Sequence, residues 1–234
     1  MNRRLHLVLL LAAMVPLVRA GETIDRIVAV VNGSPVMESE MVESLRLEQV
    51  FANQPPQAVP SAELRAVLGR LVDQILLTKQ MDVSHFQQTT PEEVHARIND
   101  LRTAVAPSDE EWRILLARYD LSEEDVAGRI AQQLRTERYI DAHFRPSVRL
   151  DPGAVENYYK DQLVPKLKQA GAQPVPMKEV EPKIREILVQ QRIDDLLESW
   201  LKTLRTQAEI RMPAPSSALV EAQAVADGHP AEVR

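Results

Sequence analysis

The sequence predicts a mainly α protein: an irregular helical bundle with a small antiparallel β-sheet formed by an N-terminal hairpin and a C-terminal strand. Three observations carry this. Apolar residues recur at spacings of three and four along most of the 234 residues, the period of an amphipathic helix. Helix-start signatures recur too, in Thr90-Pro91-Glu92-Glu93 and Ser108-Asp109-Glu110-Glu111, where a hydroxyl and a glutamate three residues later cap each other's backbone. Strand-like sequence is confined to two places near opposite ends, RIVAVVNGSPVM (Arg26 to Met37) and AEIRM (Ala208 to Met212).

In the first of these, Asn32-Gly33 suits a two-residue type I′ turn, in which both central residues take positive φ. Pro35 fits best on an outer edge, where its missing N–H harms no ladder. The inner strand, Ile27 to Val31, is then free on its other side. AEIRM alternates apolar and charged residues, the period of a strand, and a lone strand leaves its amides and carbonyls without partners. The two are therefore expected to pair and bring the ends of the domain together.

Between them, Glu38 to Phe51 (ESEMVESLRLEQVF) sets Met41, Val42 and Leu45 on one side of a first helix, which NQPPQAVP ends. Ser61 is a good N-cap for a long helix carrying Leu64, Val67, Leu68, Leu71, Ile75 and Leu76. The Thr90 signature precedes Val94, Ile98, Leu101 and Val105, and the Ser108 signature precedes Trp112, Leu115, Leu116 and Tyr119. Ser122 opens a helix with Val126, Ile130 and Leu134 that ends near Phe144 to Pro146. Short connections favour antiparallel neighbours. Asp151-Pro152 is expected to start a helix with Val155, Tyr158, Tyr159 and Leu163; AGAQPVPM (170–177) reads as a linker. Glu181-Pro182 restarts a helix of about 25 residues. Its apolar stripe, from Ile184 through Leu197 and Trp200 to Leu204, is wide enough to need partners on more than one side.

Residues 1–20 combine a basic start (MNRR), an apolar run and a small-residue exit at Val18-Arg19-Ala20, which is the pattern of a secretory signal peptide. The run is short and broken by proline, a poor membrane span. Removing it takes away Arg3, Arg4 and Arg19 and no acid, so the formal charge moves from −6 to −9. An acidic mature chain is a poor partner for nucleic acid. Cysteine is absent, so an exported chain of this kind is held by its core and not by disulfides. The tail, 213–234, is rich in Ala, Pro and Ser without sustained periodicity, and is expected to be disordered.

The common enzymatic motifs are missing: the sequence has no GxGxxG, P-loop, HExxH or GxSxG. Five histidines are scattered, at His6, His85, His95, His143 and His229, and His95 has no second ligand at i+4. The pairs Glu92/Glu93 and Glu123/Glu124 favour helix first turns through the helix dipole, and Asp194/Asp195 reads as a solvated face. No catalytic residue, cofactor or metal site is expected. Among the few aromatics, Trp112 and Tyr119 sit at helical spacing, where core packing is the first account. Phe86 lies in SHFQQTT between helices, where a large apolar side chain could be exposed.

Three stretches together, ETIDRIVAVVNGSPVMESEM, RLVDQILLTKQ and EVEPKIREILVQQRIDDLLESWLKTLRTQAEIRM, resemble the SurA-like periplasmic chaperones over most of residues 22–212. The resemblance implies one core module in which the hairpin and bundle combine with the last helix and strand. It also implies a periplasmic location and unfolded clients, outer-membrane proteins among them. Phe86, Trp112 and Tyr119 are the candidate client contacts. Members of the family usually insert parvulin prolyl isomerase domains of on the order of 90 residues before the last helix. Here about 18 residues separate Leu163 from Pro182, which leaves no room for one. The expectation is an ATP-independent chaperone without isomerase activity. A peptidyl-prolyl isomerase and an envelope assembly factor with one fixed partner are the alternatives.

Overall fold

The computed structural model describes residues 25–56 and 61–212. The expected signal segment and the tail beyond Met212 lie outside the described residues. Strands β1 (Ile27–Val31) and β2 (Ser34–Met37) form the hairpin, and β3 (Ile210–Arg211) adds to the far side of β1, giving the order β2-β1-β3, all antiparallel. Asn32 and Gly33 both have positive φ, 50° and 85°, the type I′ turn that Asn-Gly favours. Pro35 faces the outer edge opposite Val30, and Arg211 pairs with Val30 from the inner side. The mainly α class, the hairpin and its closure by the C-terminal strand are as the sequence predicts.

The helices are α1 (Glu38–Phe51), α2 (Ser61–Val83), α3 (Pro91–Val105), α4 (Asp109–Arg118), α5 (Glu123–Phe144), the short α6 (Ala154–Tyr158) and α7 (Val164–Gln169), and the long α8 (Met177–Gln207). Thr90, Ser108 and Ser122 each accept a hydrogen bond from the backbone N–H three residues on. The carboxylates of Glu93, Glu111 and Asp125 in turn accept one from the cap N–H. Each box satisfies two donors that a helix start would otherwise leave to water.

Two cores result. Around the sheet, Ala29, Val31 and Val36 pack on Val72 and Leu76 of α2 and Leu204 of α8. In the other, Leu47 and Val50 of α1 meet Ile98, Trp112, Leu116, Tyr119, Val126 and Ile130. Polar ties lock the first: Arg205 of α8 donates to both carboxylate oxygens of Asp73 on α2, at 2.6 and 2.7 Å. Such a bidentate fork fixes orientation as well as energy. Arg135 is a buried cation on α5 whose Nη2 donates to Asp82 Oδ1 at 2.9 Å and to the Phe86 carbonyl at 3.2 Å, which pins the end of α2.

Three boundaries differ from the sequence reading. The helix expected from Asp151-Pro152 begins at Ala154, because Gly153 takes a left-handed conformation (φ 82°) and Asp151 to Ala154 closes a turn. A π turn, Tyr159–Leu163, then separates α6 from α7. Pro165 accounts for it: proline has no N–H for the Asp161 carbonyl and its ring crowds that oxygen. The wider turn lets the Val164 N–H reach back to Tyr159. Helix α8 begins at Met177 and not at Glu181, absorbing the end of the expected linker, with Pro182 inside it. Pro182 is exposed, so the Lys178 carbonyl it leaves free faces solvent, while Met177 and Val180, one turn apart, gain partial burial. Strand β3 is shorter than Ala208 to Met212. Ala208 caps α8, the Glu209 N–H donates to Asn32 Oδ1 at 2.9 Å instead of a ladder carbonyl, and Pro213 follows with no N–H to extend the pairing.

Candidate functional site

Helix α8 meets α2 through Leu204 and α5 through an aromatic bracket. Tyr139 and His143, one turn apart on α5, stack with each other at 5.6 Å, and His143 stacks on Trp200 of α8 at 5.1 Å with ring planes 21° apart. Phe144 meets Trp200 edge-on at 5.6 Å. Offset and edge-on aromatic pairs add to simple area burial. Near the end of α5, Arg145 bonds both Asp141 and Glu186; these bonds hold the Arg145 guanidinium above its ordinary pKa and lower that of Glu186.

Between these two helices a groove of about 650 Å³ stays open. Its floor and walls are Ile140 and Ala142 of α5 and Ile193 and Leu197 of α8, and its rim carries Glu137, Arg138, Asp141 and Asp194. Ile193 is buried, while Ile140 and Leu197 are half-buried and present apolar surface to the opening. An apolar floor with a charged rim suits contact with a mixed polypeptide segment through weak and adaptable contacts.

The aromatic candidates fall elsewhere. Trp112 and Tyr119 are 3% and 4% exposed in the α1/α3–α5 core. Arg102 lies 5.9 Å over the Trp112 ring, and the Tyr119 hydroxyl donates to the Gln54 carbonyl. In this conformation neither offers surface to a partner. Phe86 is half-buried, edge-on to Tyr139 at 5.2 Å, so it belongs to the bracket and not to a bare loop. Three candidates taken from one-dimensional context are therefore not brought together. Leu197 was part of the predicted stripe. Ile140 and Ile193 were missed, although the spacing of Ile193 and Leu197 by four residues is a signal that they share a face.

Among the described residues no group of three or more metal-ligating side chains could hold an ion, and no helix is long and apolar enough to cross a membrane. No family model matches the chain, and no curated protein matches it. Among solved structures the chain is similar to one from Campylobacter jejuni belonging to the pair PEB4 and Cj1289, described as two structurally related SurA-like chaperones. The match covers 81% of this chain and 99% of that one, at 11% identity and a TM-score of 0.48, a degree of likeness that assigns no function.

Proposed function

We propose that this protein is an ATP-independent chaperone of the bacterial periplasm that holds unfolded polypeptides, outer-membrane proteins among them, in the groove between α5 and α8. The observation that carries this reading is the groove itself: an open channel in which Ile140 and Leu197 present apolar surface over the buried Ile193, with charges around it. Weak apolar contacts there cover aggregation-prone segments without demanding one sequence. The acidic surface, −9 once residues 1–20 are removed, keeps a loaded complex soluble. The export-type start and the resemblance of three sequence stretches to SurA-like chaperones support the same reading. We propose no isomerase activity, since the stretch between Leu163 and Pro182 is too short for a parvulin domain.

Light scattering from a diluted, unfolded outer-membrane porin tests the holding activity. Stoichiometric protein is expected to suppress aggregation, and Leu197→Asp is expected to lose most of that suppression while keeping its helical circular dichroism. Wild-type protein that leaves aggregation unchanged would sink the proposal. A pull-down from the envelope fraction separates broad capture from a single fixed partner, and exchange of an X-Pro peptide above its spontaneous rate would revive the isomerase reading.

A further inference from the structure

Another cavity, of about 420 Å³, lies between α1, the start of α2 and the end of α4. Val42, Leu45, Arg46 and Gln49 reach it from α1, at the spacings of three and four that share one helix face. Leu45 is buried and Val42 and Leu64 are half-buried, which gives the cavity an apolar side. Most of its polar groups are spoken for. The Tyr119 hydroxyl donates to the Gln54 carbonyl, and Arg46 Nη1 donates to Asp120 Oδ2 at 3.0 Å.

Two groups are not. Gln49 is 8% exposed, and its side-chain amide has no hydrogen bond among the described residues. Unlike the Ser44 hydroxyl or the Trp112 indole nitrogen, that amide is not sealed from solvent, and the opening it lines is this cavity. A largely buried, unpaired amide is costly, and the stripe of Val42 and Leu45 would place an apolar residue here. Arg118, in the last turn of α4, also has no side-chain hydrogen bond or ion pair among the described residues. The helix dipole favours a cation at that end, and the guanidinium remains free for an anion. With Arg46 set against Asp120, Arg118 leaves the cavity one positive charge in excess, on a chain of formal charge −6.

An occupant must bring an anion, an amide-pairing group and an apolar group into one small space. A fatty acid would leave Gln49 unpaired, and an uncharged interior chain segment would leave Arg118 unpaired. The last residue of a polypeptide meets all three demands. Its carboxylate matches the guanidinium fork, and its peptide group offers a carboxamide both a donor and an acceptor. We propose that this cavity receives the C-terminal residue of a bound polypeptide, its carboxylate on Arg118, its last peptide group on the Gln49 amide and an apolar side chain against Val42, Leu45 and Leu64. This rests on the polypeptide-holding reading above and adds an end contact to it. The α5/α8 groove takes segments from anywhere in a client, and this cavity takes only the terminus.

The test uses the full chain and a soluble peptide, labelled with a fluorophore at its N-terminus and polar except for a last leucine, in free-acid and C-terminally amidated forms. Amidation removes the charge and keeps the leucine. It is expected to weaken binding about tenfold, and the difference is expected to shrink as salt rises. Arg118→Gln is expected to bind the two forms alike. Gln49→Leu puts an apolar side chain of similar size in a mostly buried place, and is expected to weaken the free-acid form about fivefold with no fall in melting temperature. The end contact is overturned by equal binding of the two forms to wild-type protein, by no binding of either, by a preference that survives Arg118→Gln, or by unchanged free-acid binding in Gln49→Leu. None of these outcomes touches polypeptide holding, which light scattering with Leu197→Asp reports separately. Two further arms separate the sources of a carboxylate. An amidated peptide ending in glutamate that binds as tightly as the free acid would assign the cavity to a side-chain carboxylate, and octanoate that displaces the peptide with equal affinity would assign it to a free one. Either result overturns the C-terminal assignment.

Discussion

The sheet core and the α3–α5 core are stabilised by contacts of opposite range. Around the sheet, Val30 and Val31 pair with Arg211 and Ile210, and Arg205 clasps Asp73, so partners lie more than a hundred residues apart in the chain. In the α3–α5 region, each helix start is secured within four residues by a capping box, and turns of a few residues return the chain to the same core. In the first region the β1–β2 hairpin is local, but the third strand and the Arg205–Asp73 clasp form only when the far end of the chain arrives. The second has its helix starts specified locally, piece by piece, with Leu47 and Val50 of α1 completing its core. Long-range closure contributes cooperativity, because loop-closure entropy is offset only when the distant contacts form.

The sharpest way to break the contrast is Val30→Pro. Val30 is paired on both sides, with Pro35 and Arg211, and a proline in a central strand removes a ladder donor. A loss of at least about 3 kcal/mol is expected. Because this strand joins the chain ends, hydrogen exchange should speed up in α2 and α8 as well as in the hairpin. A variant with unchanged thermal stability would show that the closing strand is ornamental. Trp112→Ala attacks the other core. Removing a side chain that is 3% exposed should cost about 3–5 kcal/mol by denaturant titration. The unpartnered Trp112 indole nitrogen places the expected value at the lower end, since deleting it relieves one buried polar group.

A smaller change sharpens the comparison. Ser108→Ala removes one cap and should cost about 1 kcal/mol. The faster exchange it causes is expected to stay within the first turn of α4. Exchange that spread to α8 would mean that the two cores unfold as one unit.

The same contrast explains what was legible in the sequence. Each capping box is written in four consecutive residues, so α3, α4 and α5 could be placed with their first turns. The pairing of β1 with β3 was legible for a different reason: only two strand-like segments existed, and neither could satisfy its backbone alone. Helix boundaries near prolines were harder to place. Pro182 reads as a helix start but sits a turn and a half inside α8, tolerated because its carbonyl partner faces solvent. Gly153 displaced a start that Asp151-Pro152 signalled. Functional surface was least legible. The breadth of the α8 stripe announced a second partner for that helix, but not the bracket of Tyr139, His143 and Trp200, whose members come from separate helices.

The smallest expected effect is a pH dependence at Glu43 of α1. The Glu43 carboxyl is pushed above its ordinary pKa, first by desolvation and then by Asp125 and Glu40, with Arg129 and Arg46 opposing the rise. The folded state therefore holds this proton more tightly than the unfolded chain does. Stability from Glu43 is fully present below its ordinary pKa and is lost as pH rises through the raised folded value. At neutral pH the ionised Glu43 is thus a destabilising residue. Because the group is largely solvated, screening limits the effect to on the order of a few tenths of a kcal/mol. Glu43→Gln should then raise the melting temperature slightly at pH 7 and leave it unchanged near pH 4. A variant less stable than wild type at pH 7 would mean that Glu43 already has a stabilising partner in the free protein.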